Sequence, residues 1–106
     1  MKSVVVKMRG QEAGILAKFR DGTYEFRYTS RYRRDVGTRS IAFTLPKSRA
    51  VHRSAVLFPF FYGLLAEGEQ KRLQCRGLRI DENDHFTRLV ETCRQGAIGA
   101  VYVEPR

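Results

Sequence analysis

The amino-acid sequence predicts an α+β domain: an antiparallel sheet of about five strands with two main helices packed on one face. Three observations carry this. Apolar residues alternate at a period of two between Val4 and Leu45, their spacing changes to three and four between Pro59 and Cys93, and a short β-branched run returns at Ala100 to Val103.

The strands come first. Val4, Val6 and Met8 alternate with Ser3, Val5 and Lys7, and Arg9-Gly10 offers a turn. Ile15, Ala17 and Phe19 alternate with Leu16, Lys18 and Arg20, and Asp21-Gly22 is a two-residue hairpin signal. Tyr24, Phe26 and Tyr28 point one way and Glu25, Arg27 and Thr29 the other, as in a sheet wet on one face. After an arginine-rich loop, Ile41 to Leu45 reads as a fourth strand stopped by Pro46, completing an antiparallel meander.

The helices follow. Pro59 suits a first helical position, where its missing N–H costs nothing. Phe61, Leu64, Leu65 and Gly68 then line one narrow apolar face. This helix is expected to continue from Gln70 to Arg76 and end at Gly77, with Gly68 a point of interruption. A second helix begins near Asp84, where Asp81, Glu82 and Asp84 suit the positive end of the dipole. Its core stripe is Phe86, Leu89, Val90 and Cys93, and Arg94 and Gly96 mark its end. Ala100 to Val103 reads as a last strand pairing with the meander. No linker or repeat divides the chain, so residues 1–106 read as one domain.

Composition bounds the function. The chain has 106 residues, 42% of them hydrophobic and 11% aromatic, which argues against disorder despite a formal charge of +9. No run approaches the roughly 18 apolar residues of a membrane helix. The opening Val4-Val5-Val6 run is too short for a signal sequence, so no membrane contact and a cytoplasmic location are expected. Cys75 and Cys93 lack the close spacing of a disulfide scaffold. The charge is concentrated: residues 27 to 53 hold eight basic side chains and one acid, Asp35. Such a segment is a solvated loop, a surface for an acidic protein, or a nucleic-acid contact. Its candidate contacts are Arg31, Arg33, Arg34, Lys47, Arg49 and Arg53.

Catalysis finds little support. The length excludes a self-contained kinase, synthetase or dehydrogenase. His52 and His85 are the only histidines, and neither has a nearby nucleophile or orienting acid in sequence. The two His and two Cys lack zinc-finger spacing, and Cys93 fits a small buried apolar residue. Asp81-Glu82-Asn83-Asp84 lacks the central glycine and distal glutamate of a calcium loop, and helix capping explains it better. No G-x-x-x-x-G-K-[ST] or G-x-G-x-x-G occurs. The expectation is therefore no catalytic residue, no metal and no cofactor.

The aromatic run from Leu57 to Tyr62 is the most informative stretch. At 100° per residue Phe61 sits on the core stripe, and Phe60 and Tyr62 lie to either side. Phe60 is expected to pack under the loop between Pro46 and Ser54. Tyr62, with Ala66 and Glu69 further along its side, is an exposed candidate for anchoring an interface. The candidate partner-binding residues are Phe58, Phe60, Tyr62, Glu67 and Glu69.

Phe61-Tyr62-Gly63-Leu64-Leu65-Ala66-Glu67-Gly68 resembles the F-x-x-L-L-x-E-G signature of the N-terminal domain of HipA-type toxin kinases. Phe43-Thr44-Leu45-Pro46 before it, and Asp84-His85-Phe86 and Gly99-Ala100-Val101-Tyr102-Val103 after it, fit in order. The resemblance covers nearly the entire chain. Ala66 stands where many HipA sequences have proline, which is expected to loosen that turn. In HipA a kinase body follows this domain, and here the sequence ends at Arg106. A free-standing copy is similar to the HipS antitoxins of three-gene HipBST modules. That resemblance implies binding to a HipT-type serine/threonine kinase toxin and suppression of its activity. It also implies a complex with a HipB-type helix-turn-helix protein, with DNA contacted only through that protein. The helical face would dock, with an aromatic from Phe58 to Tyr62 in or against the kinase cleft. Two other readings stand beside this one. One is a basic nucleic-acid-binding module with Tyr24, Phe26, Tyr28 and Tyr32 as stacking aromatics. The other is an inactive remnant of a HipA gene.

Overall fold

Two left-handed residues close the first hairpin. Arg9 (φ 50°) and Gly10 (φ 83°) join β1 (Lys2–Met8) to β2 (Gln11–Lys18), the backbone a tight primed turn requires. The computed structural model describes residues 1–94 and 100–106, so Gly96 and Gly99 lie outside the described residues. The second hairpin is wider than the two residues expected. Phe19 and Thr23 are bonded across its base, Asp21 accepts from the Thr23 N–H, and Gly22 (φ 89°) turns the chain into β3 (Tyr24–Tyr28).

With β4 (Val51–Ser54) and β5 (Val101–Pro105) the sheet runs β4-β3-β2-β1-β5, every pair antiparallel. Its register puts Val4, Leu16, Phe26 and His52 side by side. Val103, Val6, Gly14 and Tyr28 form the neighbouring row. Leu16 therefore takes the inner face of β2, while Ile15 and Ala17 turn outward. Gly14 is required by packing: a Cβ there would sit 2.4 Å from the Arg27 carbonyl oxygen and 2.8 Å from the Phe26 ring.

The expected fourth strand at Ile41–Leu45 is instead a turn closed by a single bridge between Ala42 and Leu45. The Tyr28 hydroxyl explains this. It accepts from the Ile41 N–H at 3.0 Å and donates to the Leu45 carbonyl, taking two backbone groups a ladder would have used. The edge strand is Val51–Ser54, whose inward His52 is buried with Nε2 2.9 Å from the Pro46 carbonyl. A short helix, α1 (Ser30–Arg34), lies inside the segment read as a loop. Thr29 caps it by accepting from the Tyr32 N–H, and buried Tyr32 stacks on Tyr28 at 5.8 Å.

The first long helix is split in two. α2 (Pro59–Tyr62) starts at Pro59 as expected but stops after one turn, and α3 (Gly68–Leu78) begins past an extended Glu67. Between them Leu64 and Leu65 donate to Phe61 and Tyr62, three residues back. Gly68 (φ 60°) starts α3 rather than joining an apolar stripe, and left-handed Arg79 ends it two residues past Gly77. α4 (His85–Thr92) begins at Asp84, whose carboxylate accepts from the Thr87 N–H and hydroxyl. Phe86, Leu89 and Cys93 are buried and Val90 half-buried, as their spacing predicts. α2 and α4 pack on the inner face of the sheet, through Phe61 against Phe26 and Phe86 against Tyr24, whereas α3 buries only Cys75 and leaves Leu73 and Leu78 exposed. Burial of Phe61 and of Phe26 contributes about 1.5 to 3 kcal/mol each. Cys75 and Cys93 are free and buried. Among the described residues no helix is long and apolar enough to cross a membrane.

Candidate functional site

The four aromatic side chains in and just before α2 divide between core and surface. Phe61 is fully buried, its ring 5.8 Å from Phe26, 6.1 Å from Phe58 and 5.2 Å from Phe60. Phe58 is 6% exposed and belongs to the core, so its ring is not available on the surface. Phe60 is half-buried, edge-on to Phe61. Tyr62 is 42% exposed, as its helical angle predicts.

Tyr62 packs on one side against a neighbouring helix. Its ring stands edge-on to His85 of α4, centroids 5.1 Å apart at 86°. Behind His85 lies Arg88, only 2% exposed. The Arg88 guanidinium donates to the Ala66 carbonyl at 2.7 Å and the Glu82 carbonyl at 3.4 Å, with His85 Nδ1 at 3.4 Å. It makes no salt bridge among the described residues, so backbone carbonyls satisfy a buried cation. Arginine only donates, which assigns Nδ1 as acceptor and puts the neutral imidazole proton on Nε2. Burial holds the His85 pKa below its ordinary value, helped by Arg88 and Lys71. The Gly63–Glu67 connector, expected to be loosened by Ala66, is thus pinned to α4 through the Ala66 carbonyl. Glu67 and Glu69 are exposed at the start of α3, and Glu69 is held by Arg72 at 2.6 Å. Arg88 carries no signal in the sequence beyond its i, i+3 spacing from His85, and His85 enters there only as a histidine without a catalytic partner and within the Asp84-His85-Phe86 segment of the resemblance.

The basic segment also divides. Arg33 donates to the Lys47 and Ser48 carbonyls, both at 2.9 Å. Lys47 Nζ donates to the Asp35 and Thr38 carbonyls and the Thr38 hydroxyl at 2.7 to 2.8 Å. Both knit their own loop. Arg53 pairs with Glu25 at 3.3 Å on the outer face of the sheet, where Glu25 also meets Arg27. Arg31, Arg34 and Arg49 are exposed and, among the described residues, make no salt bridge. Tyr24, Phe26, Tyr28 and Tyr32, the aromatics a nucleic-acid module would stack on bases, are all buried. Val36 and Phe43 are both fully exposed on this loop, Phe43 against the strand assignment its sequence suggests. Among the described residues no three His, Cys, Asp or Glu side chains converge as metal ligands would.

The architecture is thus an α+β domain of a five-stranded antiparallel sheet and, among the described residues, four helices. Residues 4–104 match the family described as the HipA N-terminal domain, and the chain belongs to that family. A solved structure, the N-terminal domain of HipA toxin, superposes with a TM-score of 0.74 at 23% identity. The match covers 100% of this chain and 93% of that one, and it shows a common fold. No curated protein matches the chain.

Proposed function

We propose that this chain is an antitoxin of the HipS kind, binding a HipT-type serine/threonine kinase toxin and suppressing its activity. In this reading it acts within a complex that includes a HipB-type helix-turn-helix protein, through which alone DNA is contacted. It has no catalytic activity of its own. The observation that carries the reading is Tyr62: an exposed aromatic on a short helix, braced by His85 and displayed by a domain of the HipA N-terminal family. A ring already packed on one side has less freedom to lose on docking, so its burial in a kinase cleft translates into affinity. Inhibition would be steric, by occupancy of the cleft.

The test is to look for a kinase gene beside this one and co-express it, comparing Tyr62→Ala with Phe61→Ala. Tyr62→Ala is expected to change folding stability by no more than about 1 kcal/mol. It should weaken kinase binding by roughly thirtyfold or more and abolish growth rescue at low expression. Phe61→Ala removes a core ring and should destabilise the domain by about 3 to 5 kcal/mol. Rescue by a normally folded Tyr62→Ala protein would refute inhibition through this residue. The absence of a kinase gene beside this one would instead favour the gene-remnant reading.

A further inference from the structure

The arginine-rich loop lies at the other end of the sheet from Tyr62. α4 sits by Tyr24, where Phe86 packs at 6.3 Å, whereas the loop is tied to Tyr28 through Ile41 and Leu45. The four residue steps of β3 between them span about 13 Å. Between α1 and the loop opens a recess of about 460 Å³ lined by Ser30, Arg33, Arg34, Lys47 and Ser48. It has three cations, two hydroxyls and no carboxylate. Arg33 and Lys47 spend donors on carbonyls, but no described acid neutralises either charge.

Two fully exposed apolar side chains stand on the same loop. Val36 is in a turn that Lys47 Nζ clamps at both ends, through Asp35 and Thr38. Phe43 tips the Ala42–Leu45 turn, whose base the Tyr28 hydroxyl grips. Apolar groups on pre-ordered turns lose little entropy when buried, the property of interface anchors.

We propose that this loop is a second docking surface, independent of Tyr62, for an acidic segment of a partner protein that carries apolar side chains among its carboxylates. Carboxylates enter the recess and meet Arg34, with Arg49 and Arg31 as outer charges. Apolar side chains of the segment cover Phe43 and Val36. Charge complementarity calls for an anion, and the apolar tips decide which kind. Phe43 is the single exposed ring here that a base could stack on; Val36 has no π face and gains nothing from a phosphate backbone, and Tyr24, Tyr28 and Tyr32 are buried.

The test uses fluorescence anisotropy at physiological salt with four probes: a synthetic peptide alternating glutamate with leucine, an all-glutamate peptide of equal length, a short DNA duplex, and phosphatidylglycerol-containing vesicles. The alternating peptide should bind about tenfold tighter than the all-glutamate peptide. Arg34→Glu should weaken it about tenfold, and Phe43→Ser should remove most of its advantage over all-glutamate. Tyr62→Ala should leave it unchanged, which separates this surface from the kinase-inhibiting one. Arg34, at the end of α1, and Phe43 are both exposed, so melting temperatures should match the parent. Equal affinity for the two peptides, a silent Phe43→Ser, tighter binding of duplex or vesicles, or no peptide binding would each overturn the proposal.

Discussion

Two irregular stretches of this domain are held by cations donating to carbonyl oxygens, and they differ in how deeply the cation is buried. Arg88 reaches the Ala66 carbonyl of the α2–α3 connector from inside the protein, 2% exposed. Lys47 and Arg33 do the same for the arginine loop from half-exposed positions. Both devices fix backbone that no helix or ladder fixes. At Arg88 the donor itself is buried, so its loss leaves two part-buried carbonyls unpaired inside a packed helix pair, whereas at the half-exposed Lys47 and Arg33 water replaces the donor more readily. The connector should therefore depend strongly on its cation and the loop only weakly.

The largest expected effect follows for Arg88. Arg88→Met keeps much of the volume but strips the Ala66 and Glu82 carbonyls of their donor, and should destabilise the domain by about 3 kcal/mol in urea melts. A change below about 1 kcal/mol would mean the interior reaches solvent and the contrast is false. Lys47→Met is the surface counterpart. It should cost about 1 kcal/mol, and amide hydrogen exchange should quicken around Asp35 to Thr38 without a change in the helices. A cost equal to that of Arg88→Met would erase the distinction.

What could be read in the sequence follows the same line between local and distant causes. β1 to β3 were legible because alternation is local, and α4 because Asp84 and a four-residue apolar stripe lie within one segment. Ile41–Leu45 has the composition of a strand but surrenders two backbone groups to the Tyr28 hydroxyl, 13 and 17 residues earlier. β4 was hidden because its inward residue is a histidine whose ring finds the Pro46 carbonyl only in the fold. The break between α2 and α3 is pinned by Arg88 from 22 residues away. The exposure of Tyr62 was legible from helical angle alone. Its brace was not, because His85 belongs to another helix.

The smallest effect, and the one that links Arg88 to Tyr62, is a titration. His85 is faced by Arg88 on its own helix, by Lys71 and Lys18 from other elements, by Asp84 and by the Tyr62 ring. Burial lowers its pKa first, and the cations outweigh the opposing pull of Asp84. The folded state thus binds its proton less readily than the unfolded chain, whose histidine titrates near 6.5. That preference for the neutral ring contributes stability above pH 6.5, and the contribution is lost as pH falls through the lower folded value. Asp84 acts in a separate window. Burial pushes its carboxyl up, but bonds from Thr87 outweigh this and leave it below 3.8, so its contribution is lost only at still lower pH. Melting temperature should therefore fall modestly between pH 7 and 5, and His85→Gln should remove that component while leaving the acid limb below pH 4, values that follow from the two pKa windows. In an NMR titration, Tyr62→Ala should raise the His85 midpoint by uncovering the ring, and Lys47→Met should leave it where it is. A His85 midpoint unmoved by Tyr62→Ala would mean that the two rings do not shield one another in solution, and the brace would have to be sought in the connector alone.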